Sequence, residues 1–133
     1  MLKPEILQLP KIPDDRGNLS VIEDNRQIPF KIKRTYWVYD VPGGEKRGAH
    51  AYHHAQEFIV ALSGSFNITI NDGKNEQTFH LNRSYYGLYL PKMTWRQLDN
   101  FSTNSLALVL TDYAYDSLEY IRSFNEFIKL KNA

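Results

Sequence analysis

The residues best suited to chemistry form one short cluster, which reads Arg47-Gly48-Ala49-His50-Ala51-Tyr52-His53-His54. On a regular strand His50, Tyr52 and His54 share one face, because successive side chains point to opposite sides. A bulge would instead bring His53 to that face. Imidazole has an unperturbed pKa of about 6.5, so it can accept and release protons near neutral pH. The cluster therefore predicts a proton-transfer site, although a single histidine here would more often be an ordinary surface residue.

Composition excludes several other kinds of site. The 133 residues include no Cys, which rules out disulfides, thiolate nucleophiles, zinc fingers and iron–sulfur clusters, while oxygen and imidazole metal ligands remain possible. Lys and Arg number 16 against 15 Asp and Glu, so a broad basic face for nucleic acid is not expected. The N-terminal sequence lacks a signal-peptide core, and no apolar stretch of about 18 residues occurs. We expect a soluble cytoplasmic protein with no membrane role.

The elements that must position the cluster are predicted to be strands. From Asn18 onward the apolar residues mostly recur with period two, in short runs separated by turn-forming residues, which is typical of an all-β sandwich or barrel. Eight strands are predicted, at residues 19–23, 32–39, 57–62, 66–70, 77–81, 87–90, 94–98 and 105–110. The clearest hairpin spans residues 65–81, where Asp72-Gly73 favours a tight turn.

Only the C-terminal residues change period. Leu118, Ile121, Phe124 and Ile128 fall at helical spacing, and Asp116 is a candidate N-cap with Glu119 three residues later, as in a capping box. One terminal helix is therefore predicted. With no repeat or linker, we expect a single domain over residues 1–133, with an N-terminal arm over 1–13, a β-barrel over 14–112 and a helix and tail over 113–133.

Two sets of residues follow the spacing of the cupin motifs. The first set is His50, Tyr52, Glu57 and Gly64, and the second is Pro91, Arg96 and Asn100. The chain resembles a cupin, which implies a double-stranded β-helix, a small jelly-roll barrel whose mouth holds the site. Metal-dependent cupins place three His and one carboxylate at these positions, but Tyr52 and Arg96 replace two of the His here. Because a guanidinium has no lone pair to offer and carries a permanent positive charge, we expect no metal and no other cofactor.

A narrower resemblance covers residues 14–127. It rests on short motifs in a fixed order: Asp15-Arg16-Gly17-Asn18-Leu19, Ile22-Glu23, Pro29-Phe30, Ile32-Lys33-Arg34, Arg47-Gly48-Ala49-His50-Ala51, Gly64-Ser65, Gly87-Leu88-Tyr89, Trp95, Phe101-Ser102 and Tyr120-Ile121-Arg122. The chain resembles the sugar 3,4-ketoisomerases, which are metal-free cupins. The resemblance implies movement of the keto group of dTDP-4-keto-6-deoxyglucose from carbon 4 to carbon 3, in a pathway that supplies 3-amino-3,6-dideoxyhexoses for surface glycans such as the O-antigen of lipopolysaccharide.

The resemblance also assigns catalytic roles. Such chemistry needs a base near neutral pH and a carrier for hydroxyl protons, so His50 is the predicted base. The family pattern is Arg-Gly-x-His-Ala-His, and its second His is Tyr52 in this chain. Tyr52 is a candidate proton relay or, alternatively, an aromatic wall residue. His54 is the second candidate shuttle on a regular strand, and His53 on a bulged one.

Substrate binding is expected to need cations for the diphosphate and a flat surface for the base. Guanidinium groups match phosphate oxygens in bidentate fashion, which makes Arg16, Arg34 and Arg47 candidates, and Tyr36 is a candidate for stacking on the base. Arg96 is expected to line the sugar pocket. In the family this position correlates with the configuration at carbon 4, and an arginine resembles the members that give the gluco rather than the galacto product.

Three alternatives remain open on the sequence alone. They are a 3,5-epimerase of the same pathway, a nucleotide-sugar-binding cupin that has lost catalysis along with its second His, and a metal-dependent cupin enzyme. The first usually needs a longer chain with a His–Asp dyad. The resemblance further implies a homodimer that exchanges an N-terminal strand, which would also protect exposed strand edges.

Overall fold

The computed structural model describes residues 2–133 and consists of ten strands, one short 3₁₀ turn and one α-helix. The strands are β1 (Glu5–Gln8), β2 (Arg34–Tyr39), β3 (Arg47–Tyr52), β4 (Glu57–Ser63), β5 (Phe66–Asn71), β6 (Glu76–Leu81), β7 (Tyr86–Leu90), β8 (Trp95–Asp99), β9 (Leu106–Thr111) and β10 (Tyr120–Ile121). The 3₁₀ turn spans Ser117–Glu119 and helix α1 spans Phe124–Lys131.

The strands form two five-stranded antiparallel sheets that face each other. The first has the order β1-β7-β4-β9-β2, and the second has the order β10-β3-β8-β5-β6. This is the predicted all-β jelly roll with a short C-terminal helix, so the fold class is confirmed. The main core lies between the sheets and draws on inward-facing residues of both, such as Ile59 and Val109 from one and Ile68 and Leu98 from the other.

The outward faces of the strands are covered by two different segments. Residues 9–32 fold over the first sheet, where Ile28 and Phe30 pack against Phe58 and Val60. Helix α1 covers part of the second sheet, where Phe127 packs against Ala51 and Ile121. Both faces of β4 are buried from Glu57 to Ala61, so this part of the strand is apolar except for the inward-facing Glu57.

Most predicted strands are found within one or two residues of their expected bounds, but three differences are informative. Residues 19–23 do not form a strand, since only one isolated bridge joins Leu19 to Ile12. The N-terminal arm contributes a strand, because β1 pairs with β7 of the same chain. The chemical cluster itself forms β3, which has a register shift between Arg47 and His50 where it pairs with β8.

The C-terminal helix is shorter than predicted and begins later. Asp116 caps only the 3₁₀ turn, its carboxylate accepting from the Leu118 amide at 2.9 Å. Residues 120–121 then pair with β3 as β10 and cannot be helical. Helix α1 starts after Ser123, whose hydroxyl accepts from the Glu126 amide at 3.2 Å. The capping box predicted at Asp116 and Glu119 was therefore wrong, because strand pairing outweighed helical periodicity.

Membrane-spanning helices are not found within residues 2–133, where α1 is too short and too polar to cross a bilayer.

Candidate active site

A cavity of about 280 Å³ opens between the two sheets at one end of the barrel. Strands from both sheets and the segment after β10 contribute to it. Its polar and charged lining consists of Tyr36, Arg47, His50, Tyr52, Glu57, Arg96, Tyr120 and Arg122. Gly48 and the apolar side chains of Val38, Ile59, Leu98 and Val109 complete the wall and continue into the main core. The cavity is thus a polar interruption of the barrel interior.

Strand alternation explains why His50 and Tyr52 reach this cavity together. Both lie on the inward face of β3, while Ala51 between them packs outward against helix α1. The register shift before His50 does not separate the pair, and their ring centroids are 4.8 Å apart. Gly48 has φ +72°, a backbone conformation that a side chain would strain, and it lies beside the His50 ring.

Glu57 and Arg96 form a buried ion pair at the base of the cavity. Arg96 Nη1 donates to Glu57 Oε1, and both side chains are at most 2% exposed. The Arg96 Nε group also donates to the carbonyl of Thr94 at 3.2 Å. The second carboxylate oxygen of Glu57 accepts from the Tyr36 hydroxyl at 2.6 Å. Both oxygens of Glu57 therefore have protein partners.

These contacts do not fit the metal that the cupin fold can hold. The four cupin ligand positions do come together, as His50, Tyr52, Glu57 and Arg96 all line the cavity. However, the only carboxylate among them is engaged by Arg96 and Tyr36, and a guanidinium repels a cation. Nor do residues 2–133 offer any group of three His, Asp or Glu side chains able to hold a metal ion. We therefore derive no chemical step through a metal.

Three cavity-lining side chains each keep one buried polar atom without a hydrogen-bond partner in residues 2–133. They are His50 Nε2, Tyr52 Oη and Arg96 Nη2. Buried polar groups are normally paired, and leaving one unpaired costs about 1–3 kcal/mol. Three such atoms around one cavity indicate a binding site for a molecule with several oxygen atoms. They also supply three different functions: an imidazole nitrogen, a hydroxyl and a cationic donor.

The electrostatics of the cavity fix the protonation states of these groups. Burial lowers the pKa of His50 to about 3, and the positive charges of Arg96 and Arg122 act in the same direction. His50 is therefore neutral at pH 7 and has a nitrogen lone pair to offer. Burial raises the pKa of Tyr52, and Glu57 raises it further, so this phenol stays protonated. Burial and then Glu57 raise the pKa of Tyr36 as well.

Two residues of the site, Tyr120 and Arg122, had been assigned no role from the sequence. Tyr120 pairs with Tyr52 in the β3–β10 register, and its ring lies 4.8 Å from that of Tyr52 and 5.0 Å from that of His50. The Arg122 guanidinium lies 4.3 Å from the Tyr120 ring centroid. Ile121 between them points into the core with Ala51. The alternation of polar and apolar residues in Tyr120-Ile121-Arg122 is a sequence signal that Tyr120 and Arg122 share one face of a strand. The prediction of a helix over these residues did not use it.

The predicted binding residues separate into two groups. Tyr36, Arg47 and Arg96 line the cavity. Arg34 lies beside it, with its guanidinium 5.0 Å from the Tyr36 ring and 5.4 Å from the Tyr115 ring. Arg16 lies outside the cavity, with a side chain that is 90% exposed and paired with Asp14.

His54 also lies outside, contrary to the expectation that it shares a face with His50. Strand β3 ends at Tyr52, so alternation does not continue to His54. Its side chain is 64% exposed, and its Nδ1 atom lies 3.1 Å from Glu119 Oε2. His53 does not line the cavity either, and its amide donates to the Glu119 carbonyl at 3.0 Å. The structure therefore gives no basis for a catalytic role of either histidine.

Comparison with known proteins extends this description to a family. The family profile described as FdtA: WxcM-like, C-terminal matches residues 2–132. A curated relative from Aneurinibacillus thermoaerophilus, named TDP-4-oxo-6-deoxy-alpha-D-glucose-3,4-oxoisomerase, is 36% identical over 96% of this chain and 92% of its own. The chain belongs to the sugar 3,4-ketoisomerase family.

Solved structures of sugar 3,4-ketoisomerases share its whole fold. A 3,4-ketoisomerase from Helicobacter canadensis superposes with a TM-score of 0.96 at 38% identity, covering 100% of both chains. The WlaRB TDP-quinovose 3,4-ketoisomerase from Campylobacter jejuni superposes with a TM-score of 0.92 at 41% identity, covering 97% of this chain and 99% of the other. The resemblance inferred from the motifs is thus confirmed over the full length.

Proposed function

We propose that the protein is an isomerase that moves the keto group of dTDP-4-keto-6-deoxyglucose from carbon 4 to carbon 3. The observation that carries this proposal is the convergence of His50 Nε2, Tyr52 Oη and Arg96 Nη2, all unpartnered, in one cavity. The name of the Aneurinibacillus relative supports the same substrate and the same reaction. The product is dTDP-3-keto-6-deoxyglucose, with the gluco configuration favoured because position 96 is an arginine.

The first step removes the proton on carbon 3. Neutral His50 accepts this proton at Nε2, the C3–H electron pair forms a C3=C4 double bond, and the π pair of the carbonyl moves onto oxygen 4. The free Nη2 group of Arg96 is a donor for the resulting enediolate oxygen. Glu57 and Thr94 hold the Arg96 guanidinium in place, so this donor is oriented before the charge develops.

The second step completes the isomerisation without net gain or loss of protons. Oxygen 3 loses its hydroxyl proton to form the new carbonyl, and oxygen 4 gains a proton. Protonated His50 returns its proton to carbon 4, which becomes tetrahedral, so the imidazole is neutral again. Tyr52 is a protonated hydroxyl inside the cavity, so it can donate to one substrate oxygen while accepting from its neighbour. Arg47 and Arg122 on the cavity wall are suited to the diphosphate.

The deciding experiment incubates the protein with dTDP-4-keto-6-deoxyglucose in deuterated water with EDTA and follows the sugar by proton NMR. Appearance of a 3-keto product would establish the reaction, and the coupling at carbon 4 would assign gluco or galacto. Exchange at carbon 5 would indicate a 3,5-epimerase instead. Binding without exchange at any carbon would indicate a nucleotide-sugar-binding module and overturn the enzyme assignment.

The proposed assembly is a homodimer that exchanges its N-terminal strand. In the single chain, β1 is an edge strand joined to its sheet only through β7, so a second copy could supply the same pairing. A substrate-binding role for Arg16 depends on such an exchange, because Arg16 is exposed in its own chain. Light scattering of the full chain and of a variant lacking residues 2–8 would show whether the dimer exists and needs β1.

We also propose that the enzyme acts in the cytoplasm, because its nucleotide-linked substrate is an intracellular metabolite.

A further inference from the structure

The ring of Tyr120 lies within 5.0 Å of the rings of both His50 and Tyr52, the two groups assigned to proton transfer. The rings of His50, Tyr52 and Tyr120 form a closed triangle with centroid separations of 4.8, 5.0 and 4.8 Å. All three side chains line the cavity. The roles given to His50 and Tyr52 under the proposed function make no use of Tyr120, although it lies as close to each of them as they lie to one another.

The position of Tyr120 is fixed from both sides of the chain. On the N-terminal side, buried Glu119 accepts from the amides of His54 and Ala55, the latter at 2.6 Å, which ties β10 to the end of β3. On the C-terminal side, Ile121 is anchored in the core under helix α1. Tyr120 itself is half-buried and is paired residue to residue with Tyr52. A side chain held this firmly at the cavity wall is suited to a directed hydrogen bond.

The surroundings of Tyr120 also favour a role in moving protons. The Arg122 cation lies over its ring, and Arg34 is a further cation close to its hydroxyl. Cations at these positions favour the negative charge that develops on the substrate oxygens during the reaction. Burial and then the Glu57 carboxylate raise the pKa of Tyr52, against the opposing effect of Arg96, whose guanidinium lies 5.0 Å from the Tyr52 ring centroid. Tyr52 alone is therefore a poor substitute for the imidazole that the family pattern has at this position.

We propose that Tyr120 acts together with Tyr52 as the hydroxyl-proton relay of this enzyme, the pair replacing the second histidine of the family pattern. This inference rests on the proposed function. In the relay, the proton of oxygen 3 passes to one phenol oxygen as a phenol proton passes to oxygen 4, so that one proton enters and one leaves. His50 separately handles the proton on carbon 3.

The two roles can be measured separately. Exchange of the carbon 3 proton with deuterated solvent needs only His50 and the enediolate donor, because the enediolate can be reprotonated at carbon 3. Formation of the 3-keto product needs the relay as well. Tyr120→Phe removes only the hydroxyl and keeps the ring, so we expect product formation to fall about 10²-fold while exchange at carbon 3 falls by less than about threefold. Tyr113→Phe removes a hydroxyl from the same segment outside the cavity and should change neither rate.

Equal losses of product formation and exchange in Tyr120→Phe would overturn the relay, because they would mean that Tyr120 only positions His50. No loss in either rate would overturn it as well. Tyr120→His keeps a ring that carries protons and is expected to recover at least about tenfold of the lost product formation. If Tyr120→Phe does not fold, the rates of Tyr120→His and of the unaltered protein test the relay instead. If the unaltered protein shows neither exchange nor product, the proposed function fails first, and that result is distinct from every outcome above.

Discussion

His50 and His54 are separated by three residues, yet they lie in opposite environments. His50 is mostly buried in the cavity with a ring nitrogen that has no partner, whereas His54 is exposed and its ring nitrogen contacts Glu119. The two nearby carboxylates differ in a related way. Glu57 holds two side chains of the cavity, Arg96 and Tyr36, while Glu119 holds the backbone that follows β3. The cavity therefore contains several polar atoms without hydrogen-bond partners, whereas the polar groups around Glu119 are paired with one another.

This difference separates the proposed reactive region from a structural one. A ring nitrogen without a protein partner is free for substrate, and the free energy lost by leaving it unpaired is recovered when a ligand binds. A ring that already contacts a carboxylate contributes to the fold instead. Substitution of His50 should consequently change catalysis more than stability, whereas substitutions that break the contacts of Glu57 or Glu119 should lower stability.

The largest effect is expected for His50→Asn. Without the base, product formation should fall by about 10³–10⁴-fold, since general acid–base catalysis typically contributes up to that amount. The matched variant His54→Asn should retain product formation within about threefold, because His54 lies outside the cavity. NMR rates of both purified proteins would test this pair. A larger loss in His54→Asn than in His50→Asn would contradict the assignment of the base.

The buried ion pair provides the next contrast. Arg96→Met leaves Glu57 as an uncompensated buried charge, so we expect the free energy of unfolding to fall by about 3–5 kcal/mol. Gln97→Met alters the next residue, which faces outward, and should change stability by about 0.5 kcal/mol at most. Urea unfolding followed by circular dichroism would measure both. If adding Glu57→Gln to Arg96→Met restores no stability, the loss did not come from the unpaired carboxylate.

A smaller loss of stability is expected for Glu119→Ala. This change leaves the amides of His54 and Ala55 without their acceptor, which should lower the free energy of unfolding by about 1–3 kcal/mol. The exposed Glu126, on helix α1, supplies the control variant Glu126→Ala. Thermal unfolding of both variants is the measurement. Equal melting temperatures for the two would show that Glu119 does not hold the end of β3.

The last contrast is almost absent at neutral pH and appears in the stability of the protein only on acidification. The pKa of His50 is about 3 in the folded protein, against an ordinary value of 6.5 for the imidazole, so the unfolded chain binds more protons between these values. Stability contributed by neutral His50 is thus complete above pH 6.5 and is lost as the pH falls toward 3. The unaltered protein should lose more stability than His50→Asn on acidification. Parallel stability curves for the two proteins would contradict the burial of neutral His50.

Much of the fold could be predicted because strand periodicity is local. A strand with one apolar face can be recognised from the alternation of apolar and polar residues over about six positions. Strands β4 to β9 all lie near their expected positions. The missed elements lack that local signal. Strand β1 is short, and β10 has two residues whose extended conformation depends on pairing with β3. The residues of β10 also fit a helical spacing. Whether they form a helix or a strand depends on pairing with β3, which lies more than sixty residues earlier in the chain.

The site divides along the same line. Strand alternation by itself determined that His50 and Tyr52 share one face, and the resemblance to the cupin motifs implied that Glu57 and Arg96 join them in one site. Only the tertiary structure decided that His54 leaves the site and that Tyr120 and Arg122 join it. The physical reason is that these outcomes depend on where β3 ends and which strand pairs with it. Those are properties of contacts between distant segments, which the amino-acid pattern of either segment alone does not contain.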